Sequence, residues 1–199
     1  MPRLYKFSAI HPDINVNIYG SNQLEDLQKK HLDIAIRFGP IDRLNAGGKL
    51  TCEPFGEDLV YPVCSPELQQ RMALQHPRDL LSCRLVSLAH ERDITWAKWF
   101  EAANVTEFHT SKHSTVVTSG DMALSAALSG HGVTLAAGAL FSPYIMTGQL
   151  IFPFKIQHPE TLHRYLAYDA QSPKIKRIEL FNAWLQDEIR MSDKLLTKI

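Results

Sequence analysis

An α/β fold built around a mostly parallel sheet is the fold class that this sequence predicts, on two observations. Short apolar runs rich in β-branched residues alternate with longer stretches whose apolar residues recur at helical spacing. Strands separated by helices are joined by crossover connections, and such connections give parallel neighbours in a sheet. No Pro/Gly-rich linker divides the 199 residues, so any two lobes must be joined by strands rather than by a tether.

The predicted strands and helices follow one another along the chain. The short apolar runs predicted as strands are Ile14–Tyr19, Asp33–Phe38, Leu59–Cys64, Arg84–Leu88, Thr115–Thr118, Gly132–Ala136, Leu150–Phe154 and Arg164–Tyr168. The longer stretches predicted as helices are Arg3–Ile10, Leu24–His31, Pro66–Met72, Thr95–Ala102, Met122–Ser129, Phe141–Met146 and Ile175–Ile189.

Local signals support several of these helices. Ser21 or Asn22 can serve as the N-cap of the helix that begins at Leu24. Ser65 followed by Pro66 is the usual order of a cap and a first helical residue. In the last predicted helix the apolar residues fall along one face, as in an amphipathic helix.

The composition excludes several classes of protein. Lys+Arg and Asp+Glu both total 21, and the sequence has no basic run with which to grip nucleic acid phosphates. The three cysteines, Cys52, Cys64 and Cys83, are odd in number and unmatched in spacing, so neither a disulfide framework nor a metal knuckle is predicted. The longest mainly apolar run, Val133–Phe141, is too short to cross a bilayer, and no signal sequence is present. We expect a soluble, cytoplasmic protein.

The stretch Thr118–Ala137, with the sequence TSGDMALSAALSGHGVTLAA, predicts a helix that begins near Ser119 and a strand that follows it. Ser119 is a good N-cap, and Asp121 suits the positive end of the helix. A phosphate loop needs more glycines and a Lys-Ser/Thr pair, and SGHG lacks the GxGxxG spacing. The start of this helix therefore indicates either a simple cap or contact with a small polar ligand.

Catalysis and metal binding find no support in the sequence. Neither a G-x-S-x-G elbow nor a recognisable Cys/His signature is present. His109 and His113 have the i, i+4 spacing of a metal pair, but HTSKH is polar and lacks the Glu of an HExxH motif. We expect a solvated loop at His109–His113 rather than a metal site. For the chain as a whole we expect no metal, no cofactor and no enzymatic activity.

A series of stretches, in this order and spacing, carries a family resemblance. They are PRLYKFSAIHPDINVNI (Pro2–Ile18), LEDLQKKHLDIAIRFGP (Leu24–Pro40), LVYPVCSPEL (Leu59–Leu68), DITWAKWF (Asp93–Phe100), SGDMALSAALSGHGVTLAA (Ser119–Ala137) and GQLIFPF (Gly148–Phe154). Together they resemble the effector-binding, or substrate-binding, domain of LysR-type transcriptional regulators. IRFG followed by WxxWF resembles the branch that includes glycine-cleavage activators.

The resemblance implies an α/β fold of two Rossmann-like lobes of the type II periplasmic-binding-protein kind, joined by two crossover strands. Lobe one is expected to be residues 1–64 plus 168–199, and lobe two residues 65–167. In such folds a ligand lies beyond the carboxyl ends of strands and beside helix N-termini. The effector is therefore expected between the lobes.

Ligand contacts in lobe two are expected at strand ends. Thr118 and Ser119 offer hydroxyls and backbone N–H groups to a small carboxylate or polar group, unless Ser119 is only a cap. Ala89 and His90 follow another strand, and His90 is either a pH-sensitive hydrogen-bond donor or a solvated histidine.

The remaining expected ligand residues lie in or beside the first lobe. Arg37 and Phe38 end the Asp33 strand at the family's ligand-facing loop, where an arginine pairs an anion bidentately or simply closes a salt bridge. Cys64 and Ser65 stand at the first crossover.

The chain departs from the family's pattern at its beginning. The winged helix-turn-helix is absent, so DNA would be reached only through an N-terminal domain that this sequence does not contain. The family's first effector-domain strand is also absent, and its loss would leave buried backbone groups unpaired at about 1–3 kcal/mol each. Either the sheet closes up differently or the fold is weakened, and the sequence is expected to be a fragment or to start at an internal methionine.

We expect a regulatory domain that senses a small effector, which Arg37 suggests is an anion. Binding would change the angle between the lobes and pass through a homodimer or higher oligomer to DNA-binding domains, with no membrane contact. In the dimer the Arg3–Ile10 helix would meet the Met122–Ser129 helix of a second chain. A transport solute-binding protein with the same fold is the first alternative, and an enzyme is the second.

Overall fold

The computed structural model of the chain describes residues 4–21, 24–39, 50–89, 92–109 and 113–196. They form two compact units, one drawn from Met1–Glu57 and His163–Ile199 and the other from Asp58–Leu162. The lobe boundaries expected near residues 64 and 168 stay a prediction, because compactness does not show which segments move together.

The described elements alternate between strands and helices over most of the chain. In order they are α1 (Leu4–Ile10), β1 (Ile34–Phe38), β2 (Thr51–Asp58), β3 (Val60–Val63), α2 (Pro66–Arg71), a 3₁₀ helix (Pro77–Ser82), β4 (Leu85–Leu88), α3 (Trp96–Ala102), β5 (Ser114–Val117), α4 (Gly120–Leu128), β6 (Val133–Ala137), α5 (Gly138–Met146), β7 (Leu162–Tyr168) and α6 (Ile175–Leu196). The predicted α/β class is confirmed.

The sheet of the first unit has the strand order β1-β7-β2. β1 and β7 are antiparallel, so the prediction of parallel neighbours is wrong for this pair. Phe7 of α1 is buried beside Phe181 and Trp184 of α6, with ring centroids 5.1 and 5.2 Å away. Lys6 Nζ lies 3.0 Å from Glu188 Oε2, so an ion pair also joins α1 to α6.

Two predicted elements of the first unit are wrong. Ile14–Tyr19 forms no strand with any residue that the structure describes, and Ile18 and Tyr19 are exposed. Leu24–His31 forms only a hydrogen-bonded turn, in which the Asp26 carboxylate accepts from nearby backbone N–H groups. A strand needs a neighbouring ladder for its backbone groups, and the β propensity of Ile14–Tyr19 cannot supply one.

β2 is a strand that the sequence pattern does not predict. Its sequence, TCEPFGED, contains Pro54, Gly56 and acidic residues, all of which are depleted in strands. β2 lies at an edge of the described sheet, where a proline is tolerated. Gly56 has a φ of 132°, and a Cβ there would lie 2.7 Å from Nη2 of buried Arg164, so this position requires glycine.

The sheet of the second unit has the strand order β3-β6-β4-β5. β4 is parallel to both β5 and β6, whereas β3 is antiparallel to β6. The prediction of a mostly parallel sheet therefore holds for this unit. The strand predicted at Leu150–Phe154 is reduced to one bridge, between Ile151 and Cys64. Pro153 in this stretch has no N–H to donate to a continuing ladder.

The core of the second unit lies between α3 and one face of this sheet. Trp96, Trp99 and Phe100 of α3 pack in one buried cluster with Leu85 of β4 and Val133 of β6. The predicted helix over Thr95–Ala102 is observed as α3, with Thr95 as its N-cap. Aromatic residues on α3 thus bury a large apolar area against the strands that end at the candidate site.

A buried histidine fastens a later segment of the chain to α3. His158 is fully buried, and its Nδ1 accepts from the backbone N–H of Glu160 at 3.0 Å. Its Nε2, 3.1 Å from the carbonyl oxygen of Thr95, therefore carries the proton and donates to that oxygen. Burial lowers the pKa of His158 despite these hydrogen bonds, so the neutral ring is the native form.

We expect the neutral state of His158 to make stability fall in acid. Below the ordinary histidine pKa of 6.5 the unfolded chain binds a proton that the folded ring refuses, so stability is full above that pH and declines below it. Melting temperatures between pH 7.5 and 5.5, the range around that pKa, should fall more steeply in the wild type than in His158→Gln.

His131→Gln is the matched control, because His131 is exposed and its ring hydrogen-bonds only Thr115 among the described residues. It should keep the wild-type pH dependence. Equal slopes in the wild type and His158→Gln would contradict the assignment of the neutral ring.

Candidate functional site

The carboxyl ends of three parallel strands meet at one edge of the sheet in the second unit. Ala89 follows β4, Thr118 and Ser119 follow β5, and Gly138 follows β6. The N–H of Ala89 donates to the carbonyl oxygen of Val117 at 2.7 Å, so strand pairing continues to this edge. The structure thus brings the predicted residues Ala89, Thr118 and Ser119 to one place, called here the carboxyl edge.

Two helices begin at the carboxyl edge. Ser119 is the N-cap of α4, and its Oγ accepts from the N–H of Met122 at 3.3 Å. α5 begins after Ala137 without a side-chain cap. A Cβ placed on Gly120 would lie 3.0 Å from Cδ1 of Leu140, so the first turns of α4 and α5 are adjacent. The positive dipole ends of both helices, and N–H groups in their first turns that have no acceptor within the helix, favour a hydrogen-bond acceptor at this edge.

The other groups at the carboxyl edge favour a polar ligand and limit its charge. The hydroxyl of exposed Thr118 lies 3.5 Å from Sδ of Met122, a weak contact that a ligand can replace. The carboxylate of Asp121, also exposed, competes with an anion for the N–H groups of α4. The edge can hold one small carboxylate or neutral polar group better than a highly charged one.

Cys64 and Ser65 lie at the opposite edge of the same sheet. β3 is antiparallel to β6, and its last residue Val63 pairs with Thr134 near the start of β6. Ser65 Oγ accepts from the N–H of Leu68 at 3.2 Å and caps α2. The structure therefore does not bring these two predicted ligand residues together with Thr118 and Ser119.

Sequence reasoning missed the residues that do stand at the carboxyl edge beside β6. The N–H of Gly138 donates to the carbonyl oxygen of Leu59 at 3.1 Å, which places the start of β3 there. Ala137 leads directly into α5 without a loop. That direct change from strand to helix was the available signal, because a helix N-terminus at a strand end is a common ligand site.

Burial makes Cys64 an unreactive thiol. Its side chain is fully buried, and desolvation raises its pKa to about 12. Cys83 is also buried, and desolvation raises its pKa to about 11. Cys52, in contrast, is only half-buried. Since the thiolate is the reactive form, Cys64 is suited to packing rather than to ligand chemistry.

We therefore expect a thiol reagent at pH 8 to modify Cys52 much faster than Cys64 and Cys83 in the folded protein. All three thiols should react in denaturant. Mass spectrometry of quenched samples assigns each modified site. Native-state modification of Cys64 at its denatured-state rate would contradict this expectation.

Arg37 and Phe38 are the last residues of β1 in the first unit. Arg37 Nη2 donates to the carbonyl oxygen of Glu25 at 3.0 Å, so a structural contact already occupies one of its donors. Phe38 is exposed over 48% of its surface. The predicted role of His90 falls outside the described residues.

Metal ligation was not predicted for this chain. In the described ranges no group of three or more His, Cys, Asp or Glu side chains is arranged to hold a metal ion, and this includes His109 and His113. Among the helices that the structure describes, none is long and apolar enough to cross a membrane.

Sequence comparisons identify a family for nearly the whole chain. The family described as LysR substrate binding domain matches residues 1–190. The HTH-type transcriptional activator AmpR of Rhodobacter capsulatus is 34% identical over 188 residues, which are 93% of this chain and 60% of that protein. The glycine cleavage system transcriptional activator of Escherichia coli (strain K12) is 28% identical over 186 residues, 93% of this chain and 59% of that protein. The chain thus spans about 60% of the length of these relatives.

A comparison of structures agrees. The effector domain of the transcriptional regulator AmpR of Pseudomonas aeruginosa aligns with a TM-score of 0.78 and 27% identity, covering 98% of this chain and 91% of that one. The predicted resemblance and fold class are confirmed, and the glycine-cleavage branch is consistent with the relatives found.

Proposed function

The chain belongs to the family of LysR substrate-binding domains, and from this premise we propose that it senses a small effector for a LysR-type transcriptional regulator. The observation that carries the proposal is the carboxyl edge, where three strand ends and the first turns of α4 and α5 come together. Such an edge is the usual ligand position of an open α/β sheet.

The effector in this proposal is held by hydrogen bonds rather than by chemistry. The hydroxyl of Thr118 and the backbone N–H groups that follow Ser119 bind a carboxylate or another polar acceptor, and Ala89 adds contact at the end of β4. Cys64 and Ser65 have less support as ligand residues because they stand at the opposite edge. Arg37 and Phe38 of β1 stay proposed contacts, and Arg37 would favour an anion.

Effector binding would shift the domain between conformations of different affinity for the effector. In the proposed whole regulator this shift acts in the cytoplasm, through a homodimer or higher oligomer, on a DNA-binding region outside the chain. No cofactor and no turnover enter the proposal. The matched relatives named above are transcriptional regulators, which favours this function over a transport solute-binding protein.

A pair of substitutions at Ser119 tests the proposed site. Asp and Asn are both good N-caps, so Ser119→Asp and Ser119→Asn should keep stability within about 0.5 kcal/mol of each other. Only Asp adds a negative charge beside the first turn of α4. A ligand bound there through a carboxylate should lose at least about tenfold in affinity in Ser119→Asp relative to Ser119→Asn.

The measurement is a thermal-shift screen of the purified chain against amino acids and small carboxylates. An effector raises the melting temperature in a saturable manner that grows with its concentration. A failure of every compound to stabilise the wild type counts against the proposed function. Stabilisation by a carboxylate ligand that is equal in the two Ser119 variants places its binding away from the carboxyl edge.

Arg37 is examined in the same screen with Arg37→Ala and Arg37→Lys. If Arg37 binds an anionic effector, Arg37→Ala loses the ligand-dependent stabilisation and Arg37→Lys keeps part of it, because lysine retains the charge but not the bidentate fork. Ligand-dependent stabilisation that is unchanged in both variants assigns Arg37 a structural role, to which its contact with Glu25 contributes.

A further inference from the structure

A small pocket lies at the end of β4, on the side of the sheet that faces α3. Leu85 belongs to the core cluster on that side, and Ser87, two residues further along the strand, points the same way. The parallel register of β4 and β6 pairs Val86 with Thr134, the residues that come directly before Ser87 and Leu135. Ser87 and Leu135 line the pocket together with Ile94 and Trp96.

The walls of this pocket combine apolar surface with one hydroxyl. The indole Nε1 of Trp96 donates to the carbonyl oxygen of Val86 at 3.2 Å, which fixes the ring and uses its only donor. Leu135 and Ile94 add aliphatic carbon. Ser87 is half-buried, and none of the described residues hydrogen-bonds its hydroxyl. The pocket can therefore receive a group that is apolar on one side and polar on the other.

The size of the pocket restricts its occupant. Its volume of about 20 Å³ holds one water molecule or one group of about methyl size. A branched or aromatic group could enter only if Leu135 or Trp96 moved, and Trp96 is packed against Trp99 with ring centroids 5.8 Å apart. Close packing thus makes the pocket selective by size.

We propose that this pocket is a subsite for a hydroxyl- or amino-sized substituent of the effector, whose polar atom bonds to the Ser87 hydroxyl. The pocket stands beside the carboxyl edge, because Ser87 and Leu88 are the last residues of β4 and Ala89 follows them. The assignment of the pocket to the effector site rests on the proposed function. The ability of the pocket to bind a small hydroxylated group is independent of that function.

Methanol, ethanol and tert-butanol are suitable probes, because they carry the same hydroxyl on progressively larger apolar groups. Titration of the ¹⁵N-labelled chain should give saturable shifts of the Leu88, Ile94 and Trp96 amides with methanol. The shifts should be weaker with ethanol and absent with tert-butanol at equal concentration. Ser87→Leu, which fills the pocket, should weaken the methanol response at least about tenfold.

Ser114→Leu is the matched control, since it makes the same substitution at an exposed position of β5. This variant should keep the wild-type response to methanol. Leu135→Phe fills the pocket from the other wall and tests the subsite if Ser87→Leu does not fold. Shifts that stay linear with concentration, or that persist in the filled variants, would overturn the proposal.

The subsite and the proposed function can fail separately. When an effector from the screen is available, Ser87→Ala should lower its affinity about threefold to tenfold through loss of one hydrogen bond. An effector that binds the wild type and Ser87→Ala equally, with no alcohol in the pocket, leaves the function and removes the subsite. Size-selective alcohol binding, when no effector is found in the screen, supports the pocket as a binding site and counts against the proposed function.

Discussion

Replacing Trp99 with alanine is expected to lower the free energy of unfolding by roughly 3–5 kcal/mol, the usual cost of deleting a buried aromatic ring. Trp99 is fully buried, with ring centroids 5.8 Å from Trp96 and 5.2 Å from Phe100. Its Nε1 also donates to the carbonyl oxygen of Ile156 at 2.9 Å. The substitution would leave a cavity in the core beside α3, and the carbonyl oxygen of Ile156 would lose its donor. Urea denaturation measures the loss.

Two controls separate these contributions. Tyr5→Ala removes an aromatic ring that is 70% exposed, and should change stability by no more than about 0.5 kcal/mol. Trp99→Phe keeps a ring but loses the hydrogen bond, and should fall between the two. A cost of Trp99→Ala no greater than that of Tyr5→Ala would contradict the packing of α3 described here.

Gly132→Ala is expected to destabilise the fold by about 3 kcal/mol or more, because the added methyl group meets backbone rather than a flexible side chain. A Cβ on Gly132 would lie 2.5 Å from the carbonyl oxygen of Arg84 and 3.1 Å from Cγ2 of Val86. That carbonyl oxygen accepts from the N–H of Val133 at 2.9 Å, at the point where β4 and β6 begin to pair. The substitution would therefore separate two strands that carry the carboxyl edge.

Gly20→Ala provides the comparison, since a Cβ there would meet no atom within 4 Å. It should leave stability unchanged or raise it slightly by restricting the unfolded chain. Melting temperatures of both variants, measured by circular dichroism, decide the matter. Equal melting temperatures would show that β4 and β6 do not approach as closely as the structure has them.

The elements predicted from the sequence agree with the structure better in the second unit than in the first, for a physical reason. β4, β5 and β6 are short apolar runs between helices with clear caps, such as Ser119, so local pattern and tertiary pairing agree. In the first unit the local pattern and the tertiary pairing disagree. Ile14–Tyr19 has strand composition and no partner among the described residues, whereas β2 has breaker residues and is held by its place at a sheet edge.

The same limit applies to the candidate site. The rule that ligands lie beyond strand ends grouped Ala89, Thr118 and Ser119, which the structure places at one edge of the sheet, and their contact with a ligand stays a prediction. It failed to separate Cys64 and Ser65 from them, because an apolar run such as β3 shows where a strand lies but not its direction in the sheet. Glu25, whose carbonyl oxygen accepts from Arg37, lies in a stretch that the sequence pattern predicted as a helix and that is not helical in the structure.

The proposed function rests on the binding of a small effector at the carboxyl edge of the second unit. Its most direct test is chemical-shift mapping of the tightest ligand from the thermal-shift screen on the ¹⁵N-labelled chain. Binding at the carboxyl edge should give saturable shifts centred on Ala89, Thr118, Ser119 and Gly120, with smaller ones at Gly138. Shifts centred instead on Ser65 and Gly132, at the opposite edge of the same sheet, would contradict it.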